Sequence, residues 1–506
     1  MRADLESSLE QSWLCEAVTD CYLPLLCMMR KLKPRAAPWL TLSLSPTLLE
    51  LWAHPQFKQR YRQHLQDGLI IIAAEAENKA APAPRRRQAR EIERHWQHSA
   101  EQFDLIDGNL ATAFAGEAQR GCIEIITTAA THAFLPGHQT NKAYRHFQIE
   151  NGLRTLKLHT GIQPTGFWMP ECGYFPGLED DLKDYGIEYF ALEDIGLTSA
   201  NPTCSIRQPL KCPNGLRALG RDELLSRKVW NARIGYPGHP NYREFHQDAI
   251  YEISPERCGQ FALPNGGRLP FGLKYWRVTG SPQKDWYDAS VAREQAEADA
   301  ENFVQALSTT EKGLTFLPFD AELFGHWWHE GPLWLEKVLL SADLPPDTTL
   351  NSANHALAAF SDPPCGRPAA STWGRSSDYS FWINNQTDWI YPLLRDASEA
   401  LEACLRQVES SSASAINLKH QKLLQRTVAQ AARELLLAGA SDWPFMIRAG
   451  ATVEYAQQRL RDHLGRCHYL LESLQNGTIN QCDLELIEDL NPAFSNVSTK
   501  AFGQRL

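Results

Sequence analysis

Apolar residues recur at three- to five-residue intervals between Leu5 and Leu32, through Trp13, Ala17, Tyr22, Leu25 and Met29, and this spacing predicts a helix. "PWLTLSLSP" (Pro38–Pro46) alternates Leu with Thr and Ser over a short span, as a half-buried strand does. A polar, Arg-rich stretch from about Arg85 to Glu117 reads as helix. "GCIEIITTAATHAFLP" (Gly121–Pro136) reads as a strand with a polar tip. "TGFWMPE" ends a further apolar strand, "GLEDDLKDYG" is helical and "GIEYFAL" is strand again. "GLKYWRVTG" (Gly272–Gly280) and "GLTFLPFD" (Gly313–Asp320) read as later strands, separated by an amphipathic helix over Ala289–Leu307.

Strands alternating with helices predict parallel β/α architecture, in which reactive groups gather where strands end and loops begin. His132, Glu171 and Asp320 fall at such ends. After about residue 345 the character changes. A Pro- and Ser-rich stretch leads into helical patterns, with "SSSASA" (Ser410–Ala415) as a break between helices. This divides the chain into a β/α domain over 1–345 and an all-helical domain over 346–506, with no internal repeat.

The composition narrows the function classes. The chain has 506 residues, 43% hydrophobic and 22% charged, enough to bury a large core. A net charge of −10 leaves no excess of Lys and Arg to neutralise phosphates, so nucleic acid is not an expected partner. The one basic cluster, "PRRRQAR" at Pro84–Arg90, reads as a solvated helix start. No stretch approaches the ~20 apolar residues of a membrane span, and "MRADLESSLEQSW" does not read as a signal peptide. The 12 cysteines are scattered singly with no C-x-x-C pair, which gives no metal motif and suits a reducing cytoplasm.

Two segments carry candidate chemistry: "GFWMPECGYFPGLE" (Gly166–Glu179) and "FDAELFGHWWHEG" (Phe319–Gly331). Each ends an apolar strand with a carboxylate, Glu171 in the first and Asp320 in the second. Paired carboxylates at strand ends suit glycoside chemistry, one attacking the anomeric carbon and the other protonating the leaving oxygen. Neighbouring Trp and Tyr rings suit the C–H faces of sugar rings. On residue chemistry alone, a single carboxylate at a strand end is more often a helix cap, and a Trp pair more often core. Both accounts stand at this level.

These two segments closely resemble the third and fourth signature regions of glycoside hydrolase family 57, in particular its 1,4-α-glucan branching enzymes. The resemblance extends along the chain. "WLCEAVTDCYLPLL" resembles the family's first helix, and "IEIITTAATHAFLP" its second region. "SRKVWNARIGYPGHPNYREF" is similar to the loop after the third region, "STWGRSSDYSFWINNQTDWIYP" to the fifth region, and "ARELLLAGASDWPFMIR" to the C-terminal helical domain. It implies a (β/α)7 barrel followed by an all-helical C-terminal domain, a retaining mechanism, no cofactor or metal, and α-1,4-glucan as substrate. By motif position Glu171 is the nucleophile and Asp320 the general acid/base. His132, Trp276, Trp373 and Trp382 match substrate-binding positions. Tyr236 matches a mobile loop over the site, and Trp443 a groove residue of the helical domain. Glu322, His326, Trp327 and Trp328 are expected to support Asp320 by packing and hydrogen bonding.

Two departures accompany the resemblance. The family's first region, a strand ending in a His-x-His-x-Pro type motif, has no counterpart here, so the first barrel strand is expected to be missing. That would follow from a start codon assigned too late or from a truncated relative. The fifth region carries "STWGRSSD" in place of an acidic, glycine-rich continuation. Three readings follow: a branching enzyme, a 4-α-glucanotransferase or α-amylase of the same family, and a glucan-binding remnant without turnover.

Overall fold

The fold is that of a computed structural model, which describes residues 9–231, 234–263, 266–341, 343–344, 347–412, 418–450 and 452–503. The expected helix start at Leu5–Ser8, the expected domain boundary at 345 and 346, and the second half of the "SSSASA" break lie outside the described residues; its first half, 410–412, is still helix.

The first helix runs through Leu9–Ala17, a π turn over Val18–Tyr22, and Leu23–Lys31. Pro24 explains the widened turn. It has no N–H to give the preceding turn, and the Leu23 N–H instead reaches back to the Val18 carbonyl. The turn points Asp20 inward, where Arg243 and His95 each approach it to 2.9 Å. Burial opposes the charge, but Arg243 and His95 hold the Asp20 carboxyl well below the usual carboxylate range. Glu16 pairs with the buried Lys274 one turn earlier. These buried pairs fix the first helix to two long loops, and removing one partner of such a pair costs about 3–5 kcal/mol.

Six parallel segments form the central sheet. β1 (Leu40–Ser43) pairs with β2 (Ile123–Ile126), with Leu40 opposite Ile123. Thr127 bridges to Phe167 of β3 (Gly166–Phe167), which pairs with β4 (Tyr189–Leu192). A short strand, β5 (Leu210–Lys211), forms an antiparallel hairpin with β6 (Arg217–Gly220), and β6 lies parallel to β4. Arg221, just past β6, bridges in parallel to Phe316. The segment Leu314–Asp320 thus takes the sixth place through one bridge, not as the regular strand its sequence predicts. Gly272–Gly280 is not part of the sheet. It makes isolated bridges, Trp276 to Trp286 and Arg277 to Arg243, because Lys274 is drawn inward to Glu16.

The sheet's two ends differ from its middle. Residues of β3 and β4 are buried, whereas Leu40–Ser43 and residues 314–320 are all half-exposed. Neither end segment has a further strand partner among the described residues. In a seven-stranded barrel these two edges flank the remaining strand.

The chain between 365 and 373 returns to the barrel, bridging Lys211, Asn201 and Tyr174 through Cys365, Arg367 and Ser371. The helical domain then comprises Ile390–Ser412, Leu418–Ala438, Asp442–Ala449, Val453–Asn476 and Gln481–Leu490. Its core extends into the barrel domain, taking in Ala130, Tyr144 and Phe147. Thr131 Oγ1 donates to the Leu436 carbonyl at 2.7 Å, and Asn151 exchanges hydrogen bonds with Ser498. Where helix Leu418–Ala438 ends, Gly439 sits against Tyr144: a Cβ there would lie 1.9 Å from the phenol oxygen. Gly439→Ala is therefore expected to destabilise the protein by about 1–3 kcal/mol through overpacking. Thermal unfolding should show a lowered Tm, and an unchanged Tm would mean that the two domains are not in this tight contact.

Candidate active site

Glu171 follows β3 on a single 3-10 turn, Pro170–Cys172. It adopts φ 60°, ψ 25°, and Cys172 has φ 50°, so two consecutive side-chain-bearing residues take left-handed backbone. Such conformations cost on the order of 1–3 kcal/mol each and persist where surroundings dictate them. Here the Cys172 N–H bonds the Met169 carbonyl, and the Trp373 N–H bonds the Glu171 carbonyl at 3.1 Å. The same return segment brings the Trp373 indole Nε1–H to Glu171 Oε2 at 2.8 Å.

The other carboxylate oxygen is held from the helical domain. Ser441 Oγ lies 2.9 Å from Glu171 Oε1 and 3.0 Å from His132 Nδ1, and His132 Nδ1 is 3.6 Å from the same Oε1. An ionised carboxylate only accepts, so Ser441 donates to Glu171, and its lone pair receives the His132 Nδ1–H. This arrangement assigns the histidine tautomer. Ser441 is fully buried, and its backbone N–H bonds the His132 carbonyl, which fixes the reach of the hydroxyl. His132 itself is left-handed, with φ 54°.

Asp320 comes from the end of Leu314–Phe319. It is half-exposed. Burial, then the charges of Glu322 and Glu171, push its carboxyl up to about 7, against the pull of Arg221. Glu322 is held in place by the Tyr22 hydroxyl. The loop passes so close to the first helix at Gly325 (φ 113°) that a Cβ there would lie 1.8 Å from the Asp20 carbonyl. Arg221, from the end of β6, pairs with Glu193 from the end of β4 at 2.9 Å and lies over the Trp373 ring at 5.9 Å. Desolvation and the Glu171 charge raise the Asp442 carboxyl against the effect of His132.

The structure brings together Glu171, His132 and Trp373 by direct contact and couples Asp320 to Glu171 through its charge. The other sequence-derived candidates make packing and hydrogen-bond contacts of their own. Trp382 is buried, stacked on Phe134 at 5.0 Å beneath the loop that carries Trp373. Trp276 stacks on Trp286 at 4.4 Å and donates to Glu252. Tyr236 packs on Trp334 and Trp328, its hydroxyl donating to Asn302. Trp443 donates to the Leu437 carbonyl and meets Tyr455 and His463 within the helical domain. Of the four residues expected to support Asp320, Glu322 does so by charge. Trp328 is core, His326 meets Phe245 and Trp327 is exposed.

Residue chemistry passed over Ser441, Asp442, Arg221 and Glu193. Signals existed for each. "LED" and "LGRD" are strand ends like those of Glu171 and Asp320, and "CPNG" marks the hairpin that reveals β6. Ser441 and Asp442 directly precede the apolar "WPF" at a helix start.

Glu171 is thus a strained carboxylate held on both oxygens, and its charge helps to raise the Asp320 carboxyl to about 7. The sequence profile described as "Glycosyl hydrolase family 57" matches residues 2–344, and that described as "1,4-alpha-glucan branching enzyme, C-terminal" matches residues 402–502. The chain belongs to glycosyl hydrolase family 57. It is 28% identical, over 95% of its length and 73% of the relative's, to a 1,4-alpha-glucan branching enzyme of Thermococcus kodakarensis. Among solved structures it is similar to the alpha-amylase AmyC from Thermotoga maritima (TM-score 0.88, 29% identity, 100% of this chain and 96% of that one). It is likewise similar to the GH57-type branching enzyme from Pyrococcus horikoshii (TM-score 0.83, 28% identity, 97% and 92%). The family barrel followed by a helical domain is thus the fold of this chain, and no described helix is long and apolar enough to cross a membrane.

Ser441→Ala removes one of two donors from Glu171 and leaves His132 Nδ1 without its acceptor. A hydrogen bond to a charged group contributes about 1.5–3 kcal/mol, so glycosyl turnover should fall about ten- to a hundredfold. Ser441→Thr should restore most of it. Steady-state kinetics with an aryl α-glucoside donor make the comparison; equal kcat in Ala and wild-type forms would show that the hydroxyl does not act on Glu171.

Proposed function

We propose that this protein is a 1,4-α-glucan branching enzyme. The observation that carries the reading is that the helical domain, whose sequence matches the branching-enzyme C-terminal profile, reaches the barrel's carboxylate through Ser441. In the proposed reaction Glu171 attacks the anomeric carbon of an α-1,4-glucan while Asp320 gives its proton to the departing O4. The products of this step are a covalent glycosyl-enzyme and a shortened chain bearing a new 4-hydroxyl. Asp320, now ionised, takes the proton from the 6-hydroxyl of an acceptor glucan, whose oxygen displaces Glu171 and forms an α-1,6 link.

The half-exposed position of Asp320 supports this division of roles. Raised from near 4 to about 7, it carries a proton into the first step at neutral pH, while Glu171 remains the acceptor of two hydrogen bonds. Strain at Glu171 and Cys172 suits a nucleophile whose geometry is set before substrate arrives. The free thiols support a cytoplasmic setting, and synthesis of a glycogen-like polymer is the matching role. The likeness to an alpha-amylase structure gives the second reading, hydrolysis by the same two carboxyl groups.

Incubation with amylose followed by enzymatic debranching separates the two readings. New short chains after debranching are expected; reducing sugar released without new branches would replace branching by hydrolysis. Glu171→Ala and Asp320→Ala should each lower turnover by at least about a thousandfold with the melting temperature retained.

The pH dependence has a defined sign. Asp320 is protonated below about 7, so the donor form is present at acid pH and lost as pH rises through 7. Glu322→Gln removes a charge that raises Asp320, and the alkaline limb of the rate profile should move to lower pH. An alkaline limb that stays in place would separate Glu322 from the acid/base.

A further inference from the structure

Two indoles stand at the surface beside this site. Trp230 is 41% exposed and Trp327 is 39% exposed, and their rings meet at 5.6 Å and 64°. Most Trp side chains in this chain are spent on packing or on hydrogen bonds: Trp96, Trp328, Trp334 and Trp382 are buried, and the Nε1–H groups of Trp373, Trp276 and Trp443 have acceptors. The exposed pair instead forms an open corner with one ring face and one ring edge. Ile234 is 78% exposed, its backbone N–H bonded to Asn231 Oδ1.

Both indoles are carried by chain leaving the catalytic ends of neighbouring strands. Helix Glu223–Trp230 follows β6 and Arg221, and its N-cap Asp222 bonds the Phe316 carbonyl through its backbone N–H. Phe316 lies in the segment that delivers Asp320. Trp327 follows Asp320 by one turn, its N–H bonded to the carbonyl of Glu322, the residue whose charge raises Asp320. The corner is therefore anchored on the acid/base side, where the departing O4 and the incoming 6-hydroxyl are handled. Glu171 is held on the opposite side by Trp373 and Ser441.

Resting on the reading of an α-glucan-acting enzyme, we infer that Trp230 and Trp327 form a binding platform for the acceptor glucan chain. A pyranose presents an apolar C–H face and an equatorial rim of hydroxyls. The face packs on one indole, the rim approaches the edge of the other, and the two Nε1–H groups, which have no acceptor among the described residues, can donate to the hydroxyls.

The test is retardation in a native gel containing glycogen, with a Glu171→Gln background so that the polymer is not consumed. Maltoheptaose titration by tryptophan fluorescence gives a second reading. Trp230→Ala and Trp327→Ala should each weaken maltoheptaose binding about fivefold, and the double variant about twentyfold. Trp→Phe at either position should retain most of the affinity, which separates a lost platform from a disturbed fold. A double Ala variant retarded as strongly as its parent would overturn the platform while leaving the α-glucan reading intact. A parent protein that neither glycogen nor maltoheptaose engages would overturn both.

Discussion

The carboxylate of Glu171 is gripped on both oxygens by groups from two distant stretches of chain, and much of the structure serves that grip. Trp373 reaches one oxygen because residues 365–373 return to the barrel as backbone-bonded cover. Ser441 reaches the other because the helical domain buries its own core against Tyr144 and Phe147. Left-handed backbone at His132, Glu171 and Cys172 aims the barrel's side of the contact. None of these groups is held in place by its own strand alone. The helical domain is accordingly part of the site, not an appendage to it.

A second constraint works on Asp320. Its loop lies against the first helix, where Gly325 passes the Asp20 carbonyl and Tyr22 fixes Glu322. The π turn ahead of Pro24 sets the rotation of that helix, and the buried pairs of Asp20 with Arg243 and Glu16 with Lys274 lock it. These groups are far from Asp320 in sequence, yet they fix the loop that carries Glu322. Burial and the Glu322 charge are the leading causes that raise the Asp320 carboxyl.

Much of the architecture was legible from residue pattern. Alternating Leu at 40 and 42 gave the half-exposed β1, and Ile-rich 123–126 and "YFAL" gave β2 and β4, because buried parallel strands need apolar side chains whatever their partners. "GLKYWRVTG" has the same look, but Lys274 turns it toward Glu16, a contact set by residues some 250 positions away. The carboxylates were readable as strand ends, whereas their coupling was not. Ser441 lay hidden for a related reason: a serine at a helix start is ordinarily a cap, and only the packing of two domains aims it at Glu171. The aromatics divide in a way that sequence does not show. Trp382 and Trp443 draw the eye in sequence, but both are used for packing around the site, while Trp230 and Trp327 remain exposed.

The central claim is that the carboxylate held by Trp373 and Ser441 is the group that bonds the sugar. Reaction with an activated 5-fluoro-α-glucosyl fluoride, whose glycosyl-enzyme turns over slowly, followed by peptide mass spectrometry, examines it directly. A single added fluoroglucosyl group is expected on the peptide containing Glu171, at that residue. A label on Asp320, Asp442 or any other carboxylate would contradict it.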